Sequence, residues 1–120
     1  MEFKLIVAGG RDFNDYQLLA NTINYLALNE YADKEVSIVS GMAMGADKLG
    51  FSFAISHNVK KYLFPTDWDK YGKSAGMIRN KEMGNFSDGL LAFWDGQSRG
   101  TKQMIEYMEL LKKPVYIIKY

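Results

Sequence analysis

Five short apolar runs, Phe3 to Ala8, Val36 to Val39, Val59 to Phe64, Leu90 to Trp94 and Val115 to Ile118, punctuate this chain, and helical patterns fill the gaps between them. The first, second and last are rich in Val and Ile and do not alternate strictly with polar residues. A strand half-exposed to water alternates; a strand covered on both faces does not, and double coverage is the mark of a parallel sheet. Between the runs, Tyr16, Leu19, Ile23 and Leu26 trace an apolar stripe behind Asn14, which with Gln17 three residues later predicts a capped helix start. Ala46, Leu49, Gly50, Phe53 and Ala54 form a second stripe, residues 74 to 86 a weaker one, and Met104, Ile105, Met108 and Leu111 a fourth that closes on Lys112-Lys113 before Pro114. Strand and helix alternating throughout predict an α/β chain with a five-stranded, mainly parallel sheet, right-handed crossovers and helices on both faces. A chain of 120 residues, 48% hydrophobic and free of linkers or repeats, fits one domain over residues 1–120.

In such a sheet, ligands bind beyond the carboxyl ends of the strands, where strand order reverses. Gly9-Gly10-Arg11-Asp12 follows the first run, Ser40 to Asp47 (SGMAMGAD) the second, and Asp95-Gly96-Gln97-Ser98-Arg99-Gly100-Thr101 the fourth. All three lie at the same end of the sheet. Strand, glycine-rich turn and helix start together expose main-chain N–H groups that suit an anion, and Arg11, Lys48, Arg99 and Lys102 stand nearby. Short strand-to-helix loops favour Gly, Asp and Ser on their own account, so no single cluster decides the matter. Neither GxGxxG nor a Walker lysine loop is present.

The stretch FPTDWDKYGKSAGMIRN, 64 to 80, is too polar for a core strand, and Pro65 stops the third run. Trp68 and Tyr71 suit stacking on a flat ring, and Lys73, Arg79 and Asn80 suit phosphate or sugar oxygens. The competing structural assignment packs the two aromatics onto the domain and pairs Arg79 with Glu82 or Asp88.

Composition narrows the chemistry. With no cysteine and one histidine, His57, the chain offers no thiolate nucleophile, disulfide or His-rich metal site. Fifteen Lys plus Arg against 14 Asp plus Glu leave a formal charge of +1, which speaks against a polyanion such as DNA held by a global field. MEFKLIVAGG reads as a first strand rather than a signal peptide, and no apolar stretch approaches the roughly 20 residues a bilayer requires. The expectation is a soluble cytoplasmic protein without membrane contact.

Taken together, GGRDF, SGMAMGAD, FPTDWDKYGKSAGMIRNKEM and FWDGQSRGT resemble the YspA-related branch of the SLOG superfamily, which includes Smf/DprA and the LOG nucleotide hydrolases; the likeness spans residues 5 to 105. The resemblance implies a Rossmann-like three-layer sandwich, strand order 3-2-1-4-5, that binds a nucleotide or nucleotide-derived ligand. LOG enzymes cut the N-glycosidic bond of nucleoside monophosphates with an arginine in an RKxxM-like motif and a glutamate closing PGGxGTxxE. Arg79 to Met83 keeps that arginine and methionine, whereas Met104 stands where the glutamate would be. A carboxylate stabilises the oxocarbenium character that builds on the ribose, and a thioether does not. Glu106 lies about 200° round the helix from Met104 and faces elsewhere; Asp12, Asp47, Asp67 and Asp95 are the carboxylates left near the strand ends.

The leading expectation is therefore a small-ligand binder, acting as sensor, sequestering or delivery protein. Its site is drawn from Gly9, Gly10, Arg11, Asp12, Ser40, Gly41, Gly45, Ala46, Asp47, Trp68, Tyr71, Lys73, Arg79, Asn80, Asp95, Gly96, Ser98, Gly100 and Thr101. Asp47 and Asp95 serve as helix caps or ribose ligands. No catalytic residue and no protein-held metal or cofactor is assigned; any magnesium arrives through the ligand's phosphates. The alternatives are an N-glycosidic hydrolase with a displaced carboxylate and, less favoured, a DprA-like single-stranded DNA binder. LOG relatives pair, which leaves a homo-oligomer open.

Overall fold

The computed structural model describes all 120 residues. Five strands, β1 (Glu2–Gly9), β2 (Glu35–Ser40), β3 (Lys61–Leu63), β4 (Gly89–Trp94) and β5 (Val115–Lys119), form one sheet in the order β3-β2-β1-β4-β5. Every neighbouring pair is parallel. The helices are α1 (Tyr16–Tyr25), α2 (Ala46–Ser56), the short α3 (Trp68–Tyr71), α4 (Ala75–Phe86) and α5 (Arg99–Leu110). This is the Rossmann-like α/β architecture that the sequence predicts. No helix is long and apolar enough to cross a membrane.

The unbroken apolar runs have the expected cause. Along β1, Phe3, Leu5 and Val7 join the core beneath α1 and α2, while Ile6 and Ala8 join the one beneath α4 and α5. β4 divides the same way, Leu91 and Phe93 against Leu90 and Ala92. Burying one such Leu, Ile or Phe contributes about 1.5–3 kcal/mol. The central strands thus set stability, and the rim is free to hold groups that cost some.

Three boundaries differ from the sequence expectation. Asp15, not Asn14, caps α1, accepting from the Leu18 N–H at 3.0 Å, and the Gln17 amide donates to Asn21 along the helix. The third strand shrinks to Lys61–Leu63, since the Val59 N–H turns back to the Ala54 carbonyl at the exit of α2. Helix α5 starts at Arg99, so part of the third glycine loop is its first turn. Helix α1 also runs on as a π-helical turn, Leu26–Glu30.

The chain winds outward from β1 through β2 to β3 and then crosses back to β4. The order therefore reverses between β1 and β4, whose ends meet where Gly9 pairs with Phe93. A crevice is required there.

Candidate ligand-binding site

A cavity of about 580 Å³ opens at this reversal. From the sequence-predicted set it is lined by Gly9, Arg11, Gly41, Asp47, Trp68, Arg79, Asn80, Ser98, Gly100 and Thr101. Ala8, Met42, Ala43, Pro65, Thr66, Gly76, Met77, Arg99, Gln103 and Met104 complete the wall. Three arginines face a single carboxylate, so the cavity is biased towards an anion.

The rest of the set is held outside, each residue for a visible reason. Asp12 accepts a 2.5 Å hydrogen bond from the Tyr120 hydroxyl, which also crowds Gly10. Ser40 donates to the Asp47 carbonyl at 2.8 Å and accepts from the Met42 N–H at 3.1 Å, shaping the turn from below. Gly45 and Ala46 are covered by the first loop, the Ala46 N–H donating to the Gly10 carbonyl at 3.3 Å. Asp95 accepts from the Gln97 and Ser98 N–H groups, both at 2.8 Å, which holds its carboxyl below the usual range. Gly96 in the same turn backs onto Lys119. Tyr71 borders a neighbouring cavity of about 300 Å³ instead, and Lys73 lies exposed in the turn after α3, lining neither.

Arg79 reaches the rim from the middle of α4. Its Nη1 donates to the Gly41 carbonyl at 2.6 Å and, more weakly, to the Phe64 carbonyl at 3.5 Å, and its Nε donates to Asn80 Oδ1 at 2.9 Å. The expected partners are not used: Asp88 accepts from the Lys4 N–H, and neither Glu82 nor Asp88 forms an ion pair with Arg79. The acid facing Arg79 is Asp47, and the guanidinium pKa is lowered chiefly by burial, against the pull of that carboxylate. Asn80 continues the connection, donating to Gln103 Oε1 at 2.7 Å and to the Gly100 carbonyl at 3.3 Å. Arg79 and Asn80 thereby clamp the β2 turn to the start of α5, and Arg79 still lines the cavity.

Asp47 is the unusual member. It is 4% exposed, in the first turn of α2, and burial pushes its carboxyl up to about 6 despite Arg79 and the nearby N–H groups of Ala43 and Gly9. Among the rim aspartates it alone lines the cavity, since Asp67 caps α3 through the Lys70 N–H. Met104, 1% exposed, lines the wall at the position of the LOG glutamate, and Glu106 is exposed outside. His57 ends α2 stacked on Phe53, away from the cavity.

Sequence reasoning set Arg99 in the third anion-binding loop and noted Met104 without placing it on the wall. It missed Met77, Gly76, Thr66 and Gln103, whose spacing carries no signal. Gly76 and Met77 come from α4 and Gln103 from α5, helices that pack against each other, and Thr66 comes from the loop after β3.

Sheet order, crevice and rim loops together define a SLOG-type Rossmann-like fold. Residues 3–71 match the YspA, cpYpsA-related SLOG family, and the chain belongs to that family. It is 36% identical over 84 residues to the Gene 61 protein of Mycobacterium phage D29, covering 65% of this chain and 67% of that protein. In structure it is similar to DNA processing protein A from Helicobacter pylori, a single-stranded DNA binder (TM-score 0.71, 20% identity, 98% of this chain and 66% of that one). It is also similar to DNA processing protein A from Streptococcus pneumoniae (TM-score 0.73, 17% identity, 100% of this chain and 51% of that one). The chain therefore spans about two thirds of the first and about half of the second.

Proposed function

We propose that the protein binds a nucleotide or nucleotide-derived small molecule at the C-terminal rim of the sheet, as a sensor, sequestering or delivery protein. The supporting observation is the cavity of about 580 Å³ at the strand-order reversal, with Arg11, Arg79 and Arg99 on its wall. Its volume lies within the roughly 300–1,000 Å³ of small-molecule sites. Phosphate sits against the arginines and the first turn of α5, where Gly100 presents its main-chain N–H and Ser98 caps that of Thr101. The base stacks on Trp68, which is 56% exposed at the mouth. Magnesium, where present, enters with the ligand's phosphates.

Native mass spectrometry of protein taken directly from cells tests this reading. A retained species with the mass of a nucleotide derivative, lost in Arg79→Ala together with calorimetric affinity, is the expected result; unchanged affinity in that variant removes the site assignment. Because Asp47 lines the cavity, the same preparation is incubated with nucleoside monophosphates and checked for free base by chromatography. Release abolished in Asp47→Ala would establish N-glycosidic hydrolysis in place of simple binding.

The likeness to DNA processing protein A supports a second reading, single-stranded DNA binding. It requires a basic track along the surface, and affinity that falls steeply with salt. Salt-sensitive retention on single-stranded DNA, unaffected by competing nucleotides, favours it over the small-ligand reading.

A further inference from the structure

Two cavities meet at the rim, and the function proposed above uses only one of them. The second, of about 300 Å³, has an apolar wall of Leu63, Phe64, Pro65, Ala75 and the Tyr71 ring. Pro65 and Arg79 line both cavities and so form the partition between them. Helix α3 serves both as well: Trp68 borders the first cavity, and Tyr71, three residues on and adjacent on the same turn, borders the second. Leu63, Trp68, Tyr71 and Met77 are all exposed, which gathers large apolar side chains in water around one short helix. Such a cluster marks a surface that something covers. At the partition, Arg79 spends Nη1 on the Gly41 and Phe64 carbonyls and Nε on Asn80, which fixes the guanidinium and leaves Nη2 for a guest.

The chemistry of the second guest is constrained. Lys70 and Arg79 there face Asp67 and Glu82, and Asp67 already accepts from the Lys70 N–H at 3.1 Å. Charges balance, so the second cavity lacks the anion bias of the first and suits an uncharged flat ring. Lys70 covers one face of Tyr71, Nζ lying 5.1 Å from the ring centre, and leaves the other face for stacking. A volume at the bottom of the small-molecule range fits part of a ligand better than a whole one. A ring there joins a nucleotide in the first cavity through a linker that passes Arg79, and phosphate is the linker a guanidinium selects. We propose that the second cavity is a subsite for a second base, so that the ligand is a dinucleotide joined through phosphate, one base on Trp68 and the other on Tyr71. The same chemistry occurs in a free 5′–5′ dinucleotide and in a step of a single strand; a formal charge of +1 favours the free form. This inference rests on the nucleotide-binding reading above and adds the second half of the ligand.

Calorimetry with AMP, GMP, CMP and UMP tests it, each against the symmetric dinucleotide in which two copies are joined 5′–5′ through pyrophosphate, and against the matching 3′–5′ deoxydinucleotide. The wild-type protein is expected to bind at least one 5′–5′ dinucleotide about tenfold more tightly than its mononucleotide, the gain that stacking one more base on an aromatic ring supplies. Tyr71→Ala should remove that gain and leave the mononucleotide unchanged, Tyr71→Phe should keep it, and Trp68→Ala should weaken both ligands. Melting followed by circular dichroism confirms that each variant is folded; if Tyr71→Ala is not, the wild-type ratio decides. Equal wild-type affinity for mononucleotide and dinucleotide, or an equal loss for both in Tyr71→Ala, overturns the second subsite and leaves nucleotide binding standing. Absence of binding by every compound overturns both, and tighter binding of the 3′–5′ deoxydinucleotide than of the 5′–5′ form overturns the free dinucleotide in favour of the DNA reading.

Discussion

The N-termini of α2 and α5 both begin at the rim, both follow a parallel strand, and both are built from glycine, small residues and an aspartate, yet they are used in opposite ways. At α2 the protein closes its own cradle. Gly45 adopts φ +86° because the first loop lies directly on it; a Cβ there would stand 2.2 Å from the Gly10 carbonyl oxygen. The Ala46 N–H is taken by that carbonyl, and Asp47 places a carboxylate at the positive end of the helix. At α5, Asp95 and Ser98 tie down the turn from beneath, Gly100 has nothing within 4 Å of its missing Cβ, and Arg99 is exposed. One helix start is packed into the fold and the other is available to a guest.

Substitutions at the two glycines expose the contrast most strongly. Gly45→Ala combines a disallowed backbone region with overlap against main chain, and should cost about 3–5 kcal/mol in urea unfolding. Little loss there would mean that the first loop is not packed as described. Asp47→Asn should act in the opposite direction. The folded carboxyl is raised from 3.8 to about 6, so the folded state holds the proton more tightly and wild-type stability falls as pH rises from about 4 to 6. The variant, spared that penalty, should gain about 1–3 kcal/mol above pH 6 and nothing near pH 4, followed by denaturation across pH. On the α5 side, Ser98→Ala removes the cap bonded to the Thr101 N–H and should cost about 1 kcal/mol. Gly100→Ala should change stability by less than about 0.5 kcal/mol, or raise it slightly through helix propensity; if it weakens ligand binding, the ligand approaches the main chain at that point.

The architecture was legible because a doubly covered parallel strand leaves an uninterrupted apolar run, as in Leu5-Ile6-Val7-Ala8, whose residues pack alternately into the two cores. The rim location followed from where the glycines fall. Individual roles did not follow, because glycine serves equally for close packing and for ligand access: the same letter at 45 and 100 has opposite surroundings. Asp12 was lost to the site through a hydroxyl 108 residues away, and no local pattern encodes that contact. Asp47 resembled an ordinary first-turn acid; its burial depends on the first loop and on α4 closing over it. Asn14 and Asp15 are adjacent residues that both suit a cap, so the cap motif alone does not tell which of them accepts from the helix; in the structure it is Asp15.

Backbone amide NMR of the intact chain, titrated with AMP and, separately, inorganic phosphate, tests the division of the rim most directly. The account predicts saturable shifts at the Arg99 and Gly100 N–H groups that Arg99→Ala weakens, with those of Ala46 and Leu49 unmoved by phosphate because carbonyls of the protein already hold them. Phosphate-induced shifts centred on Ala46 and Leu49, with α5 silent, would contradict it.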